Sequence, residues 1–172
     1  MKIFAAILLA ACLLPSARAA EPVPTRLIGY YSNIQTEGPD PHFISGYDIA
    51  LYQRGAETLA YVIVAIGGIE PARATINTLT YDPKKKLLTF SARYSAGMST
   101  HPANPALDRE AWEVLTFSGV VRPQSISGKM GVKDFYCGKC VPVFTRVKLK
   151  RNKEFGRTGD MQDFPEIVSP PA

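Results

Sequence analysis

Short runs of alternating apolar and polar residues recur along the chain, separated by glycine, proline and asparagine. In the segment GYDIALYQR, for example, Tyr47, Ile49 and Leu51 fall on one face, and mostly small or polar residues fall on the other. This alternation is typical of a half-buried β-strand, because successive side chains of a strand point to opposite faces. No segment keeps helical spacing for long. The pattern therefore predicts an all-β fold.

The clearest predicted hairpin pairs Ala74–Tyr81 with Leu87–Tyr94 across Asp82-Pro83-Lys84-Lys85-Lys86, where Asp-Pro begins a turn and the lysines keep its tip in water. The segment TLAYVIVAIGG is apolar on both faces and predicts a central strand. The other predicted strands are Arg26–Ser32, the GYDIALYQR segment, Trp112–Val121, Ser125–Val132 and Val141–Arg151. About eight strands joined as neighbours can close an up-and-down barrel, whose interior is filled or holds one small ligand. A β-sandwich is the alternative, since linear order does not distinguish the two.

Two long connections separate the predicted strands. The longer one, Ser95–Glu110 (SAGMSTHPANPALDRE), has no strand pattern, and one helical turn is expected within it at Pro105–Glu110. The other, Asn33–Ser45, contains two prolines that forbid regular pairing. Loops of this length in a compact domain are usually functional or mobile. They are the first candidates for a binding surface.

The first residues have the layout of a secretory signal peptide. An apolar run from Ile3 to Leu14 is followed by Pro15 and by a small-residue cleavage box, Ala17-Arg18-Ala19. The run is shorter than the roughly 18 residues of a membrane span. We therefore expect a signal peptide at 1–19, a single β domain at 20–151 and a loosely held tail at 152–172, in a periplasmic or secreted protein that is not transmembrane. Leu9-Ala10-Ala11-Cys12 also resembles a bacterial lipobox, so an outer-membrane lipoprotein anchored through Cys12 is the alternative.

The charge balance is only mildly basic. The formal net charge is +5, and removal of Lys2 and Arg18 with the signal peptide lowers it by two. A balance of this size does not suggest nucleic acid as a partner. A basic set near the end of the chain either faces an acidic partner or forms the solvated, edge-protecting face of the last strand. Its members are Arg146, Lys148, Lys150, Arg151, Lys153 and Arg157.

Two cysteines, Cys137 and Cys140, remain after signal-peptide removal and form the sequence CGKC. A thiol-disulfide enzyme places the first cysteine at a helix N-terminus, which stabilises the thiolate, but here Val141-Pro142-Val143 begins a strand pattern. A zinc site needs about four ligands, and the two histidines are distant in sequence. The favoured interpretation is a disulfide that closes the loop before the last strand, as expected in an oxidising compartment.

Other candidates for catalysis are not specific. His42 and His101 each lie in a proline-rich loop with a serine nearby, but the chain has no Gly-x-Ser-x-Gly elbow for a Ser-His hydrolase. Paired carboxylates could serve glycoside chemistry, yet the available ones also fit a solvated loop that enters a strand. They are Asp108, Glu110 and Glu113. The sequence therefore predicts no enzyme, no cofactor and no metal site.

Aromatic residues suggest an alternative binding mode. Inward-facing tyrosines on barrel strands would line a cavity with apolar rings and hydroxyl tips, although ordinary cross-strand packing explains them equally. The candidate ligand-binding residues are Tyr30, Tyr47, Tyr61, Tyr94 and Trp112.

The hairpin sequences INTLTYDPKKKLLTFSARY and LTFSGVVRPQSISGKMG, with the closing VKLKR, resemble those of small exported bacterial β-barrels of the lipocalin-like or calycin-like type. The resemblance covers roughly residues 74–151. Gly29-Tyr30-Tyr31 stands where lipocalins carry Gly-x-Trp. The resemblance implies a barrel that binds something rather than one that catalyses a reaction.

These observations predict an exported, non-enzymatic binding protein. The first hypothesis is a periplasmic inhibitor or toxin-immunity protein that blocks a cell-envelope enzyme through the loop Ser95–Glu110. The predicted partner-binding residues are Met98, Ser99, His101, Asn104, Asp108 and Arg109. The alternatives are a carrier of a small, lipid-like molecule in the barrel interior and a thiol-disulfide oxidoreductase that uses Cys137 and Cys140.

Overall fold

The structure is a computed structural model that describes residues 24–39, 43–68, 71–100 and 108–153. Nine strands are present in these ranges: β1 Thr25–Ser32, β2 Gln35–Thr36, β3 Ile44–Arg54, β4 Glu57–Gly68, β5 Ala72–Asp82, β6 Leu87–Ser99, β7 Arg109–Arg122, β8 Ser125–Asp134 and β9 Val143–Arg151. The two-residue strand β2 only flanks β3, at Gln35↔Ser45 and Thr36↔Ile44. Eight longer strands therefore form the body of the fold.

The sheet closes on itself. Its strands follow one another in the order β1-β9-β8-β7-β6-β5-β4-β3-β2, and β1 also pairs with β3. Tyr31 of β1 lies opposite Arg151 of β9 on one side and opposite Ile49 of β3 on the other. All of these pairings are antiparallel. The predicted eight-stranded up-and-down barrel is confirmed, and it is compatible with a lipocalin-like fold.

The hydrophobic core fills the barrel interior with the inward-facing side chain of every second residue. The rings of Phe90 and Phe117 stack with their centroids 5.4 Å apart. Gly119 and Gly128 face each other across β7 and β8, and a Cβ on either would lie within 3 Å of the Phe117 ring. The other large, fully buried side chains of the interior are Tyr31, Ile49, Leu51, Val62, Val64, Leu88, Tyr94, Leu115, Ile126, Met130 and Leu149.

Three tight turns join the strands at one end of the barrel, which we call the hairpin end. Gly55 adopts a φ of 60° in the two-residue turn between β3 and β4. In the predicted β5–β6 hairpin, which is confirmed, the Asp82 carboxylate accepts hydrogen bonds from the backbone N–H groups of Lys84 and Lys85 at 2.9 and 3.0 Å. The third turn is Pro123-Gln124, between β7 and β8. Among the described residues, this end carries little chain beyond the turns themselves.

The opposite end, which we call the loop end, carries the connections 33–43, 69–71, 100–108 and 135–142. The predicted loop Ser95–Glu110 is wrong at both of its ends, because β6 continues to Ser99 and β7 already begins at Arg109. A register shift between Ser95 and Met98 interrupts the two-residue alternation, and Gly97 takes a φ of 93° there. Because β7 begins at Arg109, Arg109 and Glu110 are strand residues and do not belong to the expected helical turn.

The last strand is also shorter than predicted. It begins at Val143 rather than Val141, because Pro142 has no N–H group to donate to the ladder. The predicted solvated face of this strand is confirmed, because Phe144, Arg146, Lys148 and Lys150 are exposed. On the other face Val147 and Leu149 join the core, whereas Val143 and Thr145 at the start of the strand are exposed.

Candidate partner-binding surface at the loop end

Exposed apolar side chains concentrate at the loop end. Nine large hydrophobic residues are exposed in the described part of the chain, and seven of them lie at or beside the loop-end connections. We call these seven the apolar rim: Phe43, Ile66, Met98, Phe135, Tyr136, Val141 and Val143. Of the other two, Phe144 lies on the outer wall next to the rim and Leu87 lies at the hairpin end. Concentrations of exposed apolar surface mark interaction sites in soluble proteins.

A disulfide closes the connection between β8 and β9. Cys137 and Cys140 are joined at an S–S distance of 2.02 Å, with their Cα atoms 5.3 Å apart. The Cys140 N–H also donates to the Cys137 carbonyl at 3.3 Å, and the Tyr136 N–H donates to the Asp134 carboxylate at 2.7 Å. These bonds hold the loop in a turn rather than at the start of a helix. The disulfide interpretation of CGKC therefore matches the structure.

The disulfide loop packs against the β6–β7 side of the rim. The Phe135 N–H donates to the Trp112 carbonyl at 2.9 Å. The Arg93 guanidinium lies 4.7 Å from the Trp112 ring centroid and 5.3 Å from that of Phe135. Arg109 lies in the same way 4.3 Å from the centre of the Tyr136 ring. The start of β7 and the disulfide loop thus form one continuous surface.

The structure brings part of the predicted partner-binding set together. Met98 pairs with Glu110 and Ser99 pairs with Arg109 across β6 and β7, and the Met98 side chain is 63% exposed. Asp108 immediately precedes β7. His101 and Asn104, like His42, lie outside the described residues.

Of the seven rim residues, sequence reasoning named only Met98 as a partner-binding residue. Arg93, Phe135 and Tyr136 are among the residues of this surface that it missed. The aromatic pair directly before CGKC could have indicated Phe135 and Tyr136, because a disulfide that closes a loop also restricts the side chains next to it. Arg93 had no such signal. Its position over Trp112 and Phe135 depends on the pairing of three strands.

The five residues of the ligand-binding alternative do not meet in one cavity. Tyr47 and Tyr94 face the interior, whereas Tyr30 and Tyr61 belong to a separate cluster on the outer wall. Trp112 also lies outside, beneath Arg93. Alternation along the strands separates these side chains, because residues on opposite faces of a barrel wall cannot share its lumen.

A buried polar pair lies in the interior near the loop end. The Tyr94 hydroxyl donates a hydrogen bond to the Glu113 carboxylate, which is the cross-strand neighbour of Tyr94. Burial, and then the hydrogen bond and charge of Glu113, raise the pKa of Tyr94 well above its ordinary value. Burial and the same carboxylate also raise the pKa of Tyr47. Tyr94 therefore stays protonated and acts as a fixed donor rather than as an acid-base group at neutral pH.

The carboxylate pairing considered for glycoside chemistry is not formed between Glu110 and Glu113. Glu113 faces the interior, whereas Glu110 accepts a hydrogen bond from the indole N–H of Trp112 on the outside, at 3.0 Å. Among the residues that the structure describes, no group of three or more His, Cys, Asp or Glu side chains could hold a metal ion.

A second small cluster covers the outer wall of β1, β3 and β4. Ala50, Tyr52 and Leu59 are buried there against neighbouring apolar side chains. The Tyr30 hydroxyl donates to one oxygen of the buried Asp48 carboxylate at 2.5 Å, and burial followed by this contact raises the pKa of Tyr30. The second Asp48 carboxylate oxygen and the Tyr52 hydroxyl have no hydrogen-bond partner among the described residues.

Comparison of the chain with models of protein families, with curated proteins and with solved structures finds no match. Within the described ranges, no helix has the length and apolar character to cross a membrane. The surfaces of the barrel are therefore the features from which a function can be inferred.

Proposed function

We propose that this protein is an exported, non-enzymatic binding protein that uses the apolar rim to bind and block a cell-envelope enzyme, as a periplasmic inhibitor or immunity protein does. The observation that carries this proposal is the concentration of seven of the nine exposed large apolar side chains at the loop end. The disulfide suits an oxidising compartment outside the cytosol.

The chemistry of the rim supports a protein partner. Interface residues that contribute most of the binding energy are enriched in tryptophan, tyrosine and arginine. At the loop end, Arg109 lies over Tyr136 and Arg93 lies over Trp112. These stacked pairs present aromatic and guanidinium groups in a fixed arrangement, which lowers the entropy lost on binding.

The scaffold beneath the rim supports the same proposal. The disulfide loop is joined to Trp112 by a backbone hydrogen bond, and the strand pairs next to Gly97 extend β6 and β7 toward the rim. A loop that is already ordered before binding can fill an active site without a large ordering cost.

The alternatives draw less support from the structure. Large side chains such as Tyr31, Phe90 and Met130 occupy the interior that a lipid-like ligand would need. A thiol-disulfide enzyme needs a helix N-terminus at its first cysteine, and Cys137 lies in a turn that follows β8.

Partner capture tests the proposal. The double variant Met98→Ser/Tyr136→Ser removes two exposed rim side chains, and Leu87→Ser is a control that removes an exposed apolar side chain from the hairpin end. The wild type and the control should retain the same envelope protein on an affinity column, and the rim variant should retain at least about tenfold less, because each contact residue of an interface centre contributes about 1–2 kcal/mol or more.

Equal retention of the captured protein by the rim variant and the control would show that the rim is not the binding surface. Similar melting temperatures of all three proteins are required for this comparison, and we expect them because the substituted side chains are exposed.

A further inference from the structure

Five cations line the outer wall of the last two strands. They are Lys129 and Lys133 of β8 and Arg146, Lys148 and Lys150 of β9. Their inward-facing neighbours Met130, Val147 and Leu149 belong to the core, so alternation directs these five to the outside. We call the surface formed by the five cations the basic wall.

Among the described residues, no outward position of β8 or β9 carries an acidic side chain that could balance the basic wall. The other outward positions of β8 and β9 are Ser125, Ser127, Gly131 and Phe144. The one ion pair in the described part of the chain joins Arg54 to Glu57, in the turn between β3 and β4. The five cations of the wall therefore make no ion pair with the described residues.

The wall keeps this charge at a cost to the stability of the barrel. Lys129 lies directly opposite Arg146 across β8 and β9, and like charges in such cross-strand pairs are destabilising. A wall that served only to keep the barrel in solution would lose nothing by placing an acid at one of these positions. The arrangement indicates an anionic partner.

An aromatic side chain lies among the cations. Phe144 is paired with Gly131, and a Cβ on Gly131 would lie 2.6 Å from the Phe144 ring. The ring thus lies over the glycine while 58% of the side chain stays exposed. On β8, Lys129 and Lys133 lie two residues before and two residues after Gly131, and therefore on the same face as the Phe144 ring.

We infer that the basic wall, with Phe144, is a docking surface for the anionic head groups of a lipid bilayer. An exposed aromatic side chain among lysines is typical of protein surfaces that lie in a membrane interface. The cations attract anionic lipids over the whole wall, and Phe144 enters the boundary between head groups and acyl chains.

The type of cation favours a membrane over an acidic protein. Four of the five are lysines, which are compact point charges without the planar fork that matches a carboxylate. Lysine is depleted in protein–protein interfaces, whereas arginine and aromatic residues are enriched. The apolar rim, with Arg93 and Arg109 stacked on aromatic rings, has the opposite composition. The barrel thus carries two surfaces of different chemistry.

Co-sedimentation with lipid vesicles tests the inference. The exported, processed protein is mixed with vesicles of phosphatidylcholine containing roughly 30% phosphatidylglycerol, and with vesicles of phosphatidylcholine alone. Only the anionic vesicles should bind the protein, and 0.5 M salt should release it, because about 0.5 M salt screens exposed charges beyond a few ångströms.

The double variant Arg146→Gln/Lys148→Gln should lower the partition coefficient at least about tenfold, since each lysine or arginine close to an anionic lipid surface strengthens binding roughly fivefold. The matched control is Lys84→Gln/Lys85→Gln, which removes the same charge from the turn between β5 and β6. It should lower the coefficient less than about threefold. Phe144→Ser should cause a several-fold loss that persists at high salt.

Three results would overturn the inference: absence of binding to anionic vesicles, equal losses in the two double variants, or wall-dependent binding to polyglutamate without binding to vesicles. The last result would assign the wall to an acidic protein. None of the wall residues belongs to the apolar rim, so partner capture by the rim and vesicle binding by the wall can fail independently.

Discussion

The two ends of the barrel differ in what their residues do. At the hairpin end, Gly55, Asp82 and Pro123 shape turns that reverse the chain in a few residues, and Leu87 is the one exposed large hydrophobic side chain there among the described residues. At the loop end, a disulfide and stacked arginine–aromatic pairs fix the shape of the connections, and apolar side chains are exposed there. A register shift also interrupts the pairing of β6 with β7 at this end.

This difference suggests that the residues of the two ends serve different roles, the hairpin end in folding and the loop end in the proposed binding. Tight turns lower the cost of bringing neighbouring strands together, and they leave little surface for a partner. The loop end contains more chain than the fold requires, and its extra bonds fix the shape of a surface rather than the path of the sheet. Substitutions at the hairpin end and in the core should therefore change stability, whereas rim substitutions should change binding.

The largest expected effect on stability is at a close approach between strands. In Gly128→Val, the new Cβ would lie 2.3 Å from the Ser118 carbonyl oxygen and 2.6 Å from the Gly119 Cα. We expect a loss of about 3 kcal/mol in the free energy of unfolding, measured by urea denaturation, because overpacking against backbone forces strands apart. Gly138→Ala, in the disulfide loop where a Cβ meets no atom within 4 Å, is the control and should change stability by less than about 0.5 kcal/mol. A loss of equal size in the control would remove the distinction between the two ends.

The next effect concerns the buried pair near the loop end. Tyr94→Phe removes a hydrogen bond to a charged group and should lower stability by about 2 kcal/mol at neutral pH. The pH dependence gives a second readout. Because the folded state raises the pKa of Tyr94, its contribution is complete below the unfolded-state pKa of about 10 and is lost as the pH rises further.

Stability should therefore fall above about pH 10 in the wild type, and it should fall less steeply in Tyr94→Phe. Several other tyrosines have raised pKa values and will contribute to the same decline, namely Tyr30, Tyr31, Tyr47 and Tyr52. The informative quantity is the difference in slope between the two proteins. Identical slopes would show that Tyr94 is ionised as easily in the folded protein as in the unfolded chain.

The smallest effect on stability should come from the disulfide. Replacing both Cys137 and Cys140 with serine removes a clip that spans four residues, for which the chain-entropy model gives about 2 kcal/mol or less. Partner binding should weaken more than this change in stability suggests, because Tyr136 and Val141 flank the clip. Binding that is unchanged in the serine variant would show that the shape of this loop does not matter to the partner.

Alternation along the chain was sufficient to predict the strands, the barrel and the solvated basic face of β9. The prediction of a half-buried β3 was wrong, because Ala50 and Tyr52 on its outer face are also buried. The disulfide followed from the strand pattern after Cys140, which left no place for a helix. The extent of β6 and β7 could not be predicted, since the register shift before Met98 breaks the two-residue period. Nor could the positions of Tyr30, Tyr61 and Trp112, because alternation separates two faces without saying which one is inside.

The apolar rim and the basic wall could also be predicted only in part from the sequence. The apolar rim depends on the end of the barrel at which each connection lies, and this is known only once the strand order is known. The basic wall was visible in part as alternating cations of the last strand. Its size became clear only when the pairing of β9 with β8 placed Lys129 beside Arg146.

The most direct measurement is native mass spectrometry of the protein isolated gently from its producing cells. Binding through the loop end predicts an added protein mass, which disappears in Met98→Ser/Tyr136→Ser and remains in Leu87→Ser. An added mass of a few hundred daltons, the size of a small ligand in a pocket, without any protein mass would contradict the inhibitor proposal and favour a carrier.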